Sequence, residues 1–109
     1  MGVDVALMRV DQLGTSPKRR RVSLIDAVVD GADRFARLCT DSGLPMLNTV
    51  DPYGSLILTR ADMEQFIAEV EVVRARVDDS SGRTLLEDVL RLARICSTEP
   101  STELHIDGD

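Results

Sequence analysis

Apolar and polar residues alternate at both ends of the chain. Within residues 3–10, Val3, Val5 and Leu7 occupy every second position, and residues 103–107 repeat this period. A period of two is typical of a strand that buries one of its faces. We therefore predict a strand at each end of the chain. Chain ends often lie close together, which favours direct pairing of these two strands.

Three longer segments place apolar residues at steps of three and four. They are residues 24–39, 63–77 and 83–98. This spacing predicts three amphipathic helices, each with one buried face. Thr59 is followed three residues later by Asp62, the pattern of a capping box that starts the second helix.

A turn is predicted at residues 51–54, which read Asp-Pro-Tyr-Gly. Asp accepts backbone hydrogen bonds at the first position, Pro sets φ at the second, and Gly tolerates a positive φ at the end of the turn. Short apolar runs lie on either side, at residues 46–50 and 55–58. The pattern predicts a β-hairpin.

The predicted element order is β-α-β-β-α-α-β, which indicates the α+β class. The expected architecture has about four mainly antiparallel strands with helices packed on one face. A length of 109 residues is enough for one domain, so we predict a single domain at residues 1–109. Residues 11–22 have no apolar period, and we predict a flexible basic loop there.

The composition is that of a globular protein, with 43% hydrophobic and 29% charged residues. No apolar run approaches the ~20 residues that span a bilayer, so no membrane association is expected. The start of the chain lacks the basic and apolar regions of a secretory signal. The expected location is the cytoplasm.

The net charge of -6 is unevenly distributed along the chain. Lys18, Arg19, Arg20 and Arg21 are consecutive, and without them nine basic residues face 19 acidic ones. The acidic remainder favours basic partners and repels nucleic-acid phosphates. The basic run is interpreted first as a solvated loop and second as a contact for phosphate or an acidic partner. A nucleic-acid-associated regulator that uses residues 18–21 is therefore an alternative function.

The chemistry-bearing residues match no familiar cofactor or metal motif. Cys39 and Cys96 fall on predicted apolar helix faces and are expected to be buried, reduced thiols. With one histidine and no paired cysteines, the sequence lacks a zinc spacing. It also lacks a phosphate-binding loop and a dinucleotide fingerprint. We therefore predict no metal, no cofactor and no catalytic motif.

One polar cluster follows from pairing of the terminal strands. His105, Glu103 and Asp107 would share a face and approach Asp4, which gives an imidazole among carboxylates. A small enzyme centred on His105 is the second alternative function. An exposed histidine on an edge strand is the more common outcome of such a pattern.

Two features favour a binding role. Tyr53, one of three aromatic residues, lies at the tip of the predicted turn. The apolar face of the third predicted helix is wide, and its side with Leu86, Leu90 and Ile95 is a candidate contact for a protein partner or a second copy. The leading hypothesis is a non-enzymatic protein-interaction module, such as an immunity-like or regulatory partner protein, which self-associates or binds another protein.

Residues 47–54 read Leu-Asn-Thr-Val-Asp-Pro-Tyr-Gly, and Leu58-Thr59-Arg60 and a helix containing Met63 follow. This arrangement resembles a family of small uncharacterised actinobacterial proteins in which the same turn precedes an apolar strand, an arginine and a helix. Residues 106–109, Ile-Asp-Gly-Asp, are similar to the family's closing strand. Relatives tend to have asparagine at the position of Thr59, and both residues cap helices. The resemblance implies an architecture for the last two-thirds of the chain and no activity.

Overall fold

A computed structural model describes residues 2–12 and 20–108. Its strands and helices are, in chain order, β1 (Val3–Gln12), β2 (Arg20–Val28), α1 (Arg34–Thr40), β3 (Ser55–Thr59), α2 (Met63–Arg76), α3 (Ser80–Thr98) and β4 (Thr102–Gly108). Short 3-10 helices occupy Leu47–Thr49 and Arg60–Asp62. The α+β class is confirmed.

The four strands form one antiparallel sheet in the order β2-β1-β4-β3. The first and last strands are neighbours at its centre, where Val5 pairs with Ile106 and Leu7 with Leu104. The pairing expected from the alternating chain ends is therefore confirmed. Strands β2 and β3 form the two edges.

Alternate residues of the central strands bury one face of the sheet. Val3, Val5 and Leu7 are at most 1% exposed, and so are Leu104 and Ile106. Helix α3 lies against β1, β2 and β4 on this side, and α2 packs along α3. The expected placement of helices on one face is confirmed. Among the described residues, no helix has the length and apolar character that crossing a membrane requires.

The first predicted helix is wrong over most of its length. Residues 24–28 belong to β2, which pairs with β1, and only Arg34–Thr40 is helical. Asp33 has a left-handed backbone conformation with φ of 59°, which a continuous helix does not allow. The apolar residues of this segment fit both a helical period and the period of two of a strand. Pairing with β1 stabilises the strand.

Two neighbouring predictions change with it. Part of the expected loop at residues 11–22 lies in β1 and β2, where Asp11 pairs with Arg21; residues 13–19 lie outside the described part of the chain. The element order is consequently β-β-α-β-α-α-β. The turn at residues 51–54 exists, with the Gly54 amide donating to the Asp51 carbonyl at 3.2 Å. It does not join two strands, because Leu47–Thr49 is a 3-10 helix and β3 pairs with β4.

A buried carboxylate fixes the segment between β2 and α1. Asp30 is 4% exposed and accepts hydrogen bonds from the amides of Phe35, Ala36 and Val3 at 3.0, 3.0 and 3.2 Å. Its own amide donates to the Asp4 carboxylate at 2.9 Å. The side chain therefore satisfies open amides in the first turn of α1 and ties that turn to the start of β1.

A second buried carboxylate holds the segment before β3. Glu69 on α2 is 6% exposed and accepts from the Leu47 and Met46 amides at 2.9 and 3.2 Å. The capping box is confirmed, with the Thr59 amide donating to the Asp62 carboxylate at 2.9 Å.

Candidate interaction surface

The sheet surface opposite the helices is called the open face. The strand registers place these described side chains on it: Asp4, Ala6, Met8, Val10, Val22, Leu24, Ala27, Ser55, Ile57, Thr59, Glu103, His105 and Asp107. No described helix covers it, since eight of these thirteen residues are exposed and none is buried. The same four strands thus have one face in the core and one face in solvent.

Apolar side chains on the open face are exposed near both edges of the sheet. Leu24 on β2 is 62% exposed, Val22 is 37% exposed, and Ile57 on β3 is 49% exposed. Met8 and Val10 lie between them in partly buried positions. Scattered exposed apolar residues are ordinary on protein surfaces, but several on one uncovered sheet face make a candidate contact surface.

A histidine and a glutamate form a pair near the centre of the open face. The His105 Nε2 atom lies 3.0 Å from the Glu103 Oε1 atom, and each side chain is only 15% exposed. The neighbouring strands place Ala6 and Ile57 on either side of His105. The hydrogen bonds found among the described residues join His105 to Glu103 alone, so they place no nucleophilic hydroxyl or thiol on the imidazole.

The other two members of the predicted polar cluster lie at one end of the same face. Asp4 is directly opposite Asp107 in the sheet, and both are exposed. The Asp4 carboxylate accepts from the Asp30 amide. The structure therefore brings all four residues to one face, where the Glu103 carboxylate and the His105 imidazole are bonded to each other. The result is an acidic rim beside apolar residues.

Tyr53 is 73% exposed at the tip of its turn. Its amide donates to the Asp51 carboxylate at 2.9 Å, which fixes the turn from within. The ring lines a shallow hollow of about 240 Å³ with residues of α1, including Arg37. Gly108 allows the turn to lie close to β4, because a Cβ atom there would lie 2.2 Å from the Pro52 carbonyl oxygen.

The predicted contact on the third helix is not a surface. Leu86 and Leu90 are 1% and 0% exposed and belong to the protein's own core, and Ile95 packs against that core in a partly buried position. Their wide apolar arc is explained by the position of α3, which lies against the sheet and α2 together. Leu86 and Leu90 are therefore unavailable to a partner while the chain is folded.

The structure describes two of the four residues of the basic run. Arg20 and Arg21 lie in β2 rather than in a loop, and the Arg21 side chain is exposed. Lys18 and Arg19 lie outside the described part of the chain. Strands β1 and β2 continue past the end of β4, since Asp11 pairs with β2 alone. The basic residues of β2 are therefore on a two-stranded extension of the sheet.

Two ion pairs lower the pKa of their carboxyl groups, and both lie on the helix side of the sheet. Hydrogen bonds from Arg34 lower the pKa of Asp79, to which Ser81 and the Gly82 amide also donate. At the edge of the sheet, Arg91 on α3 lies 2.9 Å from Asp26 on β2 and lowers the pKa of that carboxyl. These pairs connect helices to neighbouring elements and leave the open face unaltered.

The two cysteines are free and buried, as expected. Burial raises the pKa of the Cys39 thiol to about 12, and the nearby Asp30 and Glu69 carboxylates act in the same direction. Burial also raises the pKa of Cys96. Such thiols are poor nucleophiles and poor metal ligands at neutral pH. Within residues 2–12 and 20–108, no group of three or more His, Cys, Asp or Glu side chains is arranged to hold a metal ion.

The sequence pattern missed the most exposed part of the open face. Val22 and Leu24 were assigned to a loop and to the start of a helix, whereas both are on an edge strand. The β-branched residues in this segment are the signal that favours a strand, and the apolar helical period concealed it. No protein-family model, no curated protein and no solved structure matches the chain.

Proposed function

We propose that the protein is a non-enzymatic protein-interaction module that binds through the open face of its sheet. The observation that carries the proposal is the uncovered face itself, with Val22, Leu24 and Ile57 exposed beside a rim of carboxylates. Protein interfaces combine apolar contacts with polar and charged groups.

The proposed occupant is a protein surface with apolar residues that meet the exposed apolar side chains and basic residues that meet the carboxylates. Asp4, Asp107 and Glu103 lie on the open face, and the chain as a whole has a net charge of -6. Charge complementarity therefore favours a basic partner and would accelerate its association at low salt. In this proposal the chain itself is an immunity-like or regulatory partner of such a basic protein.

The test is capture of proteins from the native host by the tagged chain, with matched surface variants. Ile57→Glu adds a charge to the open face, whereas Val72→Glu adds the same charge to α2, where Val72 is 42% exposed. We expect a basic protein to be captured by the wild type and by Val72→Glu. We also expect its recovery to fall at least about tenfold with Ile57→Glu and to decline with added salt.

Two outcomes would contradict the proposal. One is equal recovery of the same protein by Ile57→Glu and the wild type, which would place the contact elsewhere. The other is the absence of any protein that distinguishes the two variants at low salt. Thermal unfolding of both variants provides the folding control.

The two alternative functions stay predictions. A nucleic-acid role depends on Lys18 to Arg21, and a gel shift that is unchanged when all four become Ala would remove it. A role in catalysis depends on His105, whose bond to Glu103 orients the imidazole but activates no described nucleophile.

A further inference from the structure

The outer edge of β2 is the longest unpaired strand edge in the described sheet. β2 has nine residues and pairs with β1 on one side only, whereas the other edge strand, β3, has five. Leu24 and Ile25 are 62% and 45% exposed on this strand. A long edge with exposed apolar residues is a template for pairing with another strand.

One part of this edge is closed. The Asp26 carboxylate accepts a hydrogen bond from the Ala27 amide at 2.8 Å, and the strand register shifts beside it, between Leu7 and Met8. A β-bulge, and a charged side chain bonded to the backbone of its own strand, both interrupt strand pairing at an edge. The extra residue on β2 is Ile25, because Asp26 pairs with Leu7 and Leu24 with Met8, so residues 20–24 are the segment that remains available for pairing.

From this segment we infer that β2 pairs antiparallel with β2 of a second copy of the chain, about a two-fold axis close to Ser23. In this register Val22 of each copy lies opposite Leu24 of the other, on the open face. The two exposed apolar residues thus cover each other twice across the axis. A two-fold interface requires this kind of self-complementarity.

The charges of the strand support the same arrangement. β2 begins with Arg20 and Arg21 and carries Asp26 after the available segment. Antiparallel pairing brings Arg21 of one copy beside residues 25 and 26 of the other, so that opposite charges are adjacent at both ends. Parallel pairing in register would instead stack like charges, which is unfavourable.

The product would be one continuous sheet of eight strands with two open faces side by side. The inference thereby rests on the proposed function and deepens it, because a dimer would offer a partner two contact surfaces. Its test uses the purified chain alone, so failure of dimerisation and failure of partner binding are separate results.

The first experiment measures the solution mass of the chain and two edge variants by sedimentation equilibrium at micromolar concentrations. We expect a dimer for the wild type, and dimerisation at least about tenfold weaker for Leu24→Glu. Ile57→Glu places the same charge on the opposite edge of the open face and should leave the dimer intact. A monomeric wild type, or equal weakening by both variants, would overturn the inference.

The second experiment tests the register directly by oxidation. Directly opposed residues of antiparallel strands have Cα atoms about 4.5–5.5 Å apart, within the reach of a disulfide. Ser23→Cys should therefore cross-link into a dimer on non-reducing gels, because the axis places residue 23 against its own copy. Ser55→Cys, an exposed position on β3, should remain a monomer on the gel.

Equal or faster cross-linking of Ser55→Cys would show that the other edge is the contact and would refute the assignment of β2. Cys39 and Cys96 are buried and do not compete. A charge exchange completes the design: Arg21→Glu and Asp26→Arg should each weaken the dimer, and a mixture of the two should restore it. Arg91→Ala controls for loss of the Asp26 ion pair and should leave the dimer intact.

Discussion

The two faces of the sheet are made by the same four strands and have opposite environments. On the covered face Leu104 is 0% exposed, whereas on the open face Leu24 is 62% exposed. Both are leucines in antiparallel strands of one sheet. Residue type alone therefore does not identify the core. The position of each leucine relative to the helices determines which one stabilises the monomer and which one is available for contact.

The largest effect is expected at Leu104, which is fully buried on the covered face. Leu104→Ala leaves a cavity between the sheet and α3 and should lower the free energy of unfolding by about 2–5 kcal/mol. Leu24→Ala should change it by no more than about 0.5 kcal/mol at concentrations at which the chain is monomeric. Urea unfolding of both variants measures the difference. Equal losses would mean that the open face is covered in solution.

The next prediction compares two aspartates, one buried beside the covered face and one on the open face. Asp30→Ala removes the acceptor of three amides and should cost about 3 kcal/mol of unfolding free energy. Asp107→Ala, an exposed position, should cost no more than about 0.5 kcal/mol. Urea unfolding measures both. Amide exchange should also become faster at Phe35 and Ala36 in Asp30→Ala, and unchanged exchange there would contradict the capping role.

The smallest effect is expected from the exposed ion pair of Arg34 and Asp79 and depends on pH. Hydrogen bonds from Arg34 lower the pKa of Asp79 below the ordinary value of 3.8. The Asp79 carboxylate therefore binds a proton more readily in the unfolded chain than in the folded one. The stabilisation from the Arg34–Asp79 pair is present above about pH 4 and is lost as the pH falls toward the pKa of Asp79 in the folded chain. Asp79→Asn should reduce stability at neutral pH and flatten its loss in acid.

Urea midpoints at neutral pH and near pH 3 provide the measurement for Asp79→Asn. Arg34→Gln is the matched variant, because it removes the other member of the same pair. Arg34→Gln should flatten the acid response only in part, because Ser81 and the Gly82 amide still donate to the Asp79 carboxylate, and the double variant should resemble Asp79→Asn. An unaltered wild-type response in Arg34→Gln would show that Arg34 does not set the pKa.

Local signals predicted the second half of the chain well. The capping box at Thr59 and Asp62, the helix after it and the closing strand are all present. Each depends on residues that are near one another in sequence, so propensity and periodicity suffice. The third helix begins at Ser80, earlier than predicted, with the Asp79 carboxylate accepting from the Gly82 amide at 2.9 Å.

The candidate site was only partly predictable. Pairing of the terminal strands brings Asp4, Glu103, His105 and Asp107 to one face, as their alternation indicated. Leu86 and Leu90 were misassigned because an apolar arc on a helix does not specify whether its contact is internal or external. Leu24 was missed because its segment satisfies a helical period, and the strand forms only through pairing with β1.

Composition and local sequence patterns predict the class of fold, the alternation of the terminal strands and the acidic character of the chain. These follow from composition and from periods that span a few residues. Three features became evident only in the folded chain. Residues 20–28 form an edge strand, α3 buries its wide apolar face internally, and one face of the sheet stays open. The physical reason is that burial and strand pairing depend on contacts between residues distant in sequence, whose free energies outweigh local preference.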